Sequence, residues 1–193
     1  MKLLLLADRE CPALWDFYRP GCLDEYDLIL ACGDLNSSYL SFLVTLAHCP
    51  VLYVHGNHDG AYASRPPEGC DCIEDQVVTC KGLRILGLGG APLYNGGPHQ
   101  YTEAQMARRI RRLRWKLRKG VDIVVTHAPA EGYGDGQDYA HRGFACLVDL
   151  MDRYQPKYLI HGHMHVNYGS VPRLHRRGGT AIINAYERYV IEL

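Results

Sequence analysis

Residues 54–59 read Val-His-Gly-Asn-His-Asp, directly after the apolar run that starts at Pro50. That run has the length and β-branched content of a buried strand, and Gly56 supplies the backbone freedom for a sharp turn out of it. Asn57, His58 and Asp59 are therefore set down just past a strand's carboxyl end, where ligands gather in open α/β sheets. The same arrangement repeats outward in both directions. Toward the N-terminus, Asp27–Ala31 runs into Gly33-Asp34 and Lys2–Ala7 into Asp8-Arg9-Glu10. Toward the C-terminus, Val121–Val125 leads to His127 and Lys157–Ile160 to Gly162-His163-Met164-His165. Alone, a Gly-Asp pair is a turn, Asp-x-Glu a solvated edge and a single His a hydrogen-bonded structural residue. Five such groups, all at strand ends, instead supply one rim with metal-ligand side chains.

Between these strands lie helical patterns at Pro12–Tyr18 and Ser37–Ala47, and the alternation argues for a parallel βαβ sheet. Val77–Cys80 and Leu83–Leu88 read as strands joined by a tight Lys81-Gly82 turn, followed by a Gly/Pro-rich loop, Gly89–His99. Thr102 and Gln105 form a capping-box signature. Met106, Ile110, Leu113 and Leu117 then recur at helical spacing up to Gly120. A helix near Phe144–Tyr154 and strands at Ala181–Asn184 and Arg188–Glu192 complete the order. The pattern gives an α/β chain, with two sheets face to face and helices outside.

The 193 residues are 47% hydrophobic, enough for one core and one domain, 1–193. Lys plus Arg and Asp plus Glu balance at 21 each, so any attraction for phosphate is local. The opening MKLLLLADRE reads as a buried strand, because charge returns at Asp8 and no small-residue cleavage site follows. No apolar run approaches the roughly 20 residues of a membrane span. The expectation is a soluble, cytoplasmic protein without a membrane partner. The eight cysteines are expected as reduced thiols, with Cys70-x-Cys72 and Cys80 a weak structural-zinc signal.

In these motifs the chain resembles the calcineurin-like metallophosphoesterases, whose pattern is Asp-x-His, Gly-Asp, Gly-Asn-His-Asp/Glu, a lone His and Gly-His-x-His. The matching residues are Asp8-Arg9-Glu10, Gly33-Asp34, Gly56-Asn57-His58-Asp59, His127 and Gly162-His163-Met164-His165. The resemblance implies a four-layer αββα sandwich of two mixed β-sheets. It also implies two divalent cations, Mn or Fe with Zn as a further option. Asp8, Glu10, Asp34 and His165 would hold the first, and Asp34, Asn57, His127 and His163 the second. Carboxylate, amide oxygen and imidazole suit such cations, and no thiolate is in the set. The implied reaction is hydrolysis of a phosphomonoester or phosphodiester by direct attack of a metal-bridging hydroxide. His58 would be catalytic, protonating the leaving oxygen, and Asp59 would orient it. A nuclease and an inactive scaffold of the same fold are the alternatives.

Glu10 departs from the pattern, standing where the family has His. An anionic ligand there lowers Lewis acidity and favours Mn over Zn, and if Glu10 does not coordinate, the site is mononuclear. For substrate contacts the sequence offers Arg9, the loop residues Tyr94, Asn95 and His99, and His141 with Arg142 in the polar stretch after His127. The segment 102–119 is rich in Arg and Lys around one apolar stripe. It reads as a solvated helix face, with nucleic acid the less favoured partner.

Overall fold

Leu3, Leu4, Leu5 and Leu6 are all fully buried, and they divide by parity. Successive strand side chains face opposite ways. Leu3 and Leu5 pack with Leu28, Leu30, Ile85, Ile123 and Ile160, whereas Leu4 and Leu6 pack with Leu14, Ile29, Tyr39 and Leu43. A strand apolar on both faces has to be covered on both, and this sets the order of the layers.

The computed structural model describes residues 1–166 and 172–193. In chain order its elements are β1 (Lys2–Leu6), β2 (Leu28–Ala31), α1 (Ser37–Leu46), β3 (Val51–Tyr53), β4 (Asp71–Cys72), β5 (Gln76–Cys80), β6 (Leu83–Leu88), β7 (Ala91–Pro92), β8 (Gln100–Tyr101), α2 (Glu103–Arg112), α3 (Arg114–Leu117), β9 (Ile123–Thr126), α4 (Ala145–Tyr154), β10 (Tyr158–His161), β11 (Leu174–Arg177), β12 (Thr180–Asn184) and β13 (Tyr189–Glu192). One sheet runs β13-β1-β2-β3-β4 and the other β11-β12-β10-β9-β6-β5. In the first, β1 to β4 are parallel and β13 is antiparallel. In the second, β12, β10, β9 and β6 are parallel between antiparallel edges β11 and β5.

The central apolar cluster lies between the sheets. A second fills the space between the first sheet and α1. A third, with Leu86, Val124 and Leu159 from the strands and Met106, Leu117 and Leu147 from the helices, lies under α2, α3 and α4. The architecture is the expected αββα sandwich of mixed sheets, and the carboxyl ends of its parallel strands share one rim.

Local departures have local causes. The helix expected over Pro12–Tyr18 is only a 3₁₀ turn at Pro12–Leu14. Trp15 packs edge-on against Tyr39 and Phe42, and Tyr18 against Phe42, drawing the chain onto α1. The capping box at Thr102 forms both of its hydrogen bonds, yet the helix breaks at Leu113 into α2 and α3. Arg84 takes the carbonyls of Lys116 and Gly120 at 2.7 and 2.6 Å, closing the second segment. Lys81 and Gly82 both have left-handed backbone (φ 51° and 82°), the two-residue hairpin turn that matches strand twist. All eight cysteines are free thiols. Among the described residues no helix is long and apolar enough to cross a membrane.

Candidate metal centre

Three residues leave their strands in left-handed backbone: Asp8 at φ 64°, Asp34 at 55° and His163 at 64°. Such a conformation costs an L-residue roughly 1–2 kcal/mol, and strain of this kind concentrates at functional sites. Close packing explains the neighbouring glycines. A Cβ on Gly33 would lie 2.3 Å from the Gly56 nitrogen, and one on Gly56 would lie 2.0 Å from Asp34 Oδ1.

Asp8, Asp34 and Asn57 come from the ends of β1, β2 and β3 in one sheet, His127 and His163 from the ends of β9 and β10 in the other. Hydrogen bonds fasten the two rims together. The His163 N–H donates to Asp8 Oδ1 at 2.8 Å, the Gly90 N–H to the His55 carbonyl at 2.7 Å, and His127 Nδ1 to the Cys32 carbonyl at 2.8 Å. That last bond fixes the His127 tautomer and leaves Nε2 bare. His163 is fixed the other way round, with Nε2 donating to the Ala140 carbonyl at 2.8 Å and Nδ1 bare.

Bare His127 Nε2 faces Asn57 Oδ1 at 3.0 Å, His163 Nδ1 at 3.2 Å and Asp34 Oδ2 at 3.3 Å. Asp34, His127 and His163 form a group whose ligand atoms all lie within 4.8 Å of one another. Four lone-pair donors aimed at one another repel unless a positive charge sits among them. Burial alone would lower the His127 imidazole, but the Asp34 carboxylate holds it up at about 9. Burial and the neighbouring His127 charge push His163 down to about 4. Asp34 is itself lowered, its burial outweighed by the His127 hydrogen bond and charge. Asp8 adds a further sign, for its buried Oδ2 has no partner among the described residues and burial raises its carboxyl. The mixed oxygen and nitrogen donor set and this orphaned oxygen fit a divalent metal.

The other expected residues divide. Glu10 does not face the cluster: its Oε1 accepts the backbone N–H of Asn36 at 2.8 Å, ahead of α1. His165 is exposed and packs its ring 5.1 Å from that of Tyr186. His58 stands at the mouth, its side chain 74% exposed and Nε2 4.0 Å from Asp34 Oδ2, with its backbone N–H on Asp34 Oδ1 at 2.8 Å. Asp59 holds loops rather than the His58 ring. Its buried Oδ2 accepts the N–H groups of Gly56 and Asp34 at 2.7 and 2.9 Å, and burial raises its carboxyl to about 6.

Among the substrate-contact candidates, Arg9 lies 4.0 Å from Glu187, Arg142 pairs with Glu131, and His141 bonds Asp138 while its ring stands 5.2 Å from that of His163. Asn95 Oδ1 accepts from Gly97 N–H and Gln100 Nε2, bracing its own loop. His99 stacks on His55 at 4.3 Å. From the same loop, the Tyr94 hydroxyl accepts from Asn57 Nδ2 at 3.2 Å, turning the amide oxygen inward.

Two features escaped the sequence reading. Arg65 lines a cavity of about 460 Å³ together with His58, Asp34, Ser37 and Ser38. Arg109 is 6% exposed, bonds Asp75 Oδ1 at 2.7 Å and the Gly89 carbonyl at 2.8 Å, pairs with Glu74 and lies over the Tyr101 ring. Glu74 in turn accepts the His55 and Gly89 N–H groups, bracing the turn that carries Asn57 from behind. The signal for Arg109 was its place three residues after Met106 and four before Leu113, on the apolar stripe.

A family model described as calcineurin-like phosphoesterase matches residues 9–167. Metallophosphoesterase domain-containing protein 1 of Homo sapiens is 31% identical over 121 residues, covering 60% of this chain and 34% of that protein. The chain thus spans about a third of that relative's length. An uncharacterized protein of Haemophilus influenzae is 25% identical over 177 residues, 72% of this chain and 73% of its own. The crystal structure of phosphopantetheinyl hydrolase from Mycobacterium tuberculosis superposes with a TM-score of 0.64 at 15% identity, covering 96% of this chain and 88% of that one, a likeness of fold.

Proposed function

The chain belongs to the calcineurin-like phosphoesterase family, and from that premise we propose that it hydrolyses a phosphate ester at the rim where β1, β2, β3, β9 and β10 end. The observation that carries this reading is the convergence of Asp34, Asn57, His127 and His163, four donors whose protons are held elsewhere. They are the residues that would hold a divalent cation. Such a cation acts as a Lewis acid on phosphoryl oxygens and lowers the pKa of water.

The chain's own groups do the rest. The Cys32 and Ala140 carbonyls hold the two imidazole rings so that His127 Nε2 and His163 Nδ1 face the centre, and Tyr94 keeps the Asn57 oxygen turned to it. His58, fixed by its backbone and exposed by its ring, is placed to hand a proton to a leaving oxygen at the solvent boundary. Arg65 and the hydroxyls of Ser37 and Ser38, around the adjoining cavity, meet the anionic ester.

Asp34, Asn57, His127 and His163 would together hold one cation. A second would draw on Asp8 and Asp34, and would need Glu10 to leave Asn36 and His165 to leave Tyr186 in order to take part. Mn, Fe and Zn are all compatible with the donors.

The test is turnover of a generic phosphodiester and a generic phosphomonoester with added Mn²⁺, Fe²⁺, Zn²⁺ or Mg²⁺, for wild type and for Asp34→Asn and His127→Ala. At least one metal should support turnover in the parent. Each variant should lose at least about 100-fold, the equivalent of about 2.7 kcal/mol of transition-state stabilisation. No turnover with any metal would leave the scaffold reading in its place.

A further inference from the structure

Seven basic residues of the 102–119 segment remain exposed after folding: Arg108, Arg111, Arg112, Arg114, Lys116, Arg118 and Lys119. Among the described residues none of the seven forms an ion pair, whereas Arg109 beside them forms two. The single acid of these two helices, Glu103, has its carboxylate on the Ala145 and Cys146 N–H groups at the start of α4. The chain is neutral overall, so this positive face is concentrated at one place and left uncompensated. An ordinary solvated helix face mixes signs and pairs them three or four residues apart.

In the middle of this face stands Trp115, 60% exposed. The apolar stripe does not need it, because Met106, Leu113 and Leu117 are already buried against the sheet. The Arg114 and Arg118 guanidinium carbons lie 5.2 and 4.2 Å from its ring centroid. Planar guanidiniums lying over an exposed indole make a layered flat surface on which a base can stack, with cationic N–H groups to meet its phosphates. Between α2 and α4 the surface continues into a groove of about 210 Å³, floored by Ile110 and Leu150 and rimmed by Arg111, Arg114 and Arg153, with Asp149 its one carboxylate.

We propose that the exposed face of α2 and α3 is a docking surface for single-stranded nucleic acid, with Trp115 stacking on an unpaired base and the surrounding arginines and lysines tracking the phosphates. A paired base has no free face for Trp115, so a duplex engages the charge alone. An anionic membrane fits less well, since the apolar side of these helices is spent on the core and only one large apolar side chain projects. The face lies on the outer layer, over the sheet rather than at its rim, so docking there tethers a polymer without occupying the metal centre.

The experiment is fluorescence anisotropy of a labelled oligo(dT) of about 20 nucleotides, of the matching duplex, and of vesicles of anionic and neutral lipid, across a salt series. Wild type, Trp115→Ala, the double variant Arg114→Glu/Arg118→Glu and the remote control Arg19→Glu are compared, each checked for an unchanged melting temperature. The parent should bind the single strand more tightly than the duplex. Trp115→Ala should weaken the single strand about tenfold with the salt slope kept, as loss of one stacked base would. The double reversal should weaken both and flatten the salt slope, and Arg19→Glu should bind like the parent. Three results overturn the proposal: no binding at low salt, equal loss in Arg19→Glu and the double variant, or Trp115→Ala binding as the parent does. Binding to anionic vesicles without binding to the oligonucleotide would also overturn it.

Discussion

Glu10 gives its Oε1 to the backbone N–H of Asn36 at 2.8 Å, and Asn36 in turn caps α1 by accepting the Ser38 N–H at 2.9 Å. The carboxylate therefore serves the positive end of a helix, which separates two quantities that ligation would couple. Glu10→Ala should cost about 1 kcal/mol of stability, the value of a capping hydrogen bond. It should leave the amount of metal bound per chain the same as in its parent. Chemical denaturation and elemental analysis read the two; a loss of bound metal in Glu10→Ala would make Glu10 a ligand.

Tyr94 meets the centre through the Asn57 amide. Removing its hydroxyl in Tyr94→Phe lets that amide rotate, and loss of such an outer partner lowers metal affinity about 10- to 100-fold. Calorimetric titration of the metal-free protein with Mn²⁺ measures this directly. An affinity equal to the parent's would show that packing, not Tyr94, fixes Asn57.

Arg109 is a buried cation between two carboxylates. In Arg109→Met the largely buried Glu74 carboxylate keeps His55 but loses Arg109, and breaking a buried pair of this kind typically costs up to about 3–5 kcal/mol. Urea unfolding should show it. A cost below about 1 kcal/mol, the range of exposed pairs, would mean that water reaches Glu74.

His55 sets a pH dependence. Burial pulls its imidazole down, but the Cys72 sulfur and the Glu74 carboxylate, 3.3 Å away, overcome this and hold it up at about 10. A folded-state value above the ordinary 6.5 means that the folded chain holds the proton more tightly. Its contribution is therefore complete below pH 6.5 and is lost as the pH rises through about 10. Stability measured from pH 7 to 10 should fall more steeply for the parent than for His55→Gln; equal slopes would place the titrating group elsewhere.

The strands and the residues at their ends were legible because burial on both faces leaves uninterrupted apolar runs, and each run stops where the chemistry starts. The capping box at Thr102 was equally plain, being a purely local exchange of hydrogen bonds. What escaped depends on distant partners. Nothing near position 10 announces that an N–H at position 36 will claim its carboxylate, and nothing in Gly-His-x-His says that His165 will turn to Tyr186. Asp59 was expected to orient its neighbour His58, yet two backbone amides brought together by the fold take it. β4, β7 and β8, at two residues each, are too short to carry any period.

The left-handed turns at Asp8, Asp34 and His163 set the ease of the backbone against the contents of this rim. At each of these positions glycine would sit more easily, so one mutation there both relieves the backbone and deletes a side chain from the centre. A chain with glycine at all three would turn at lower cost and have nothing left there to bind with: comfort and grip are alternatives at the same three positions.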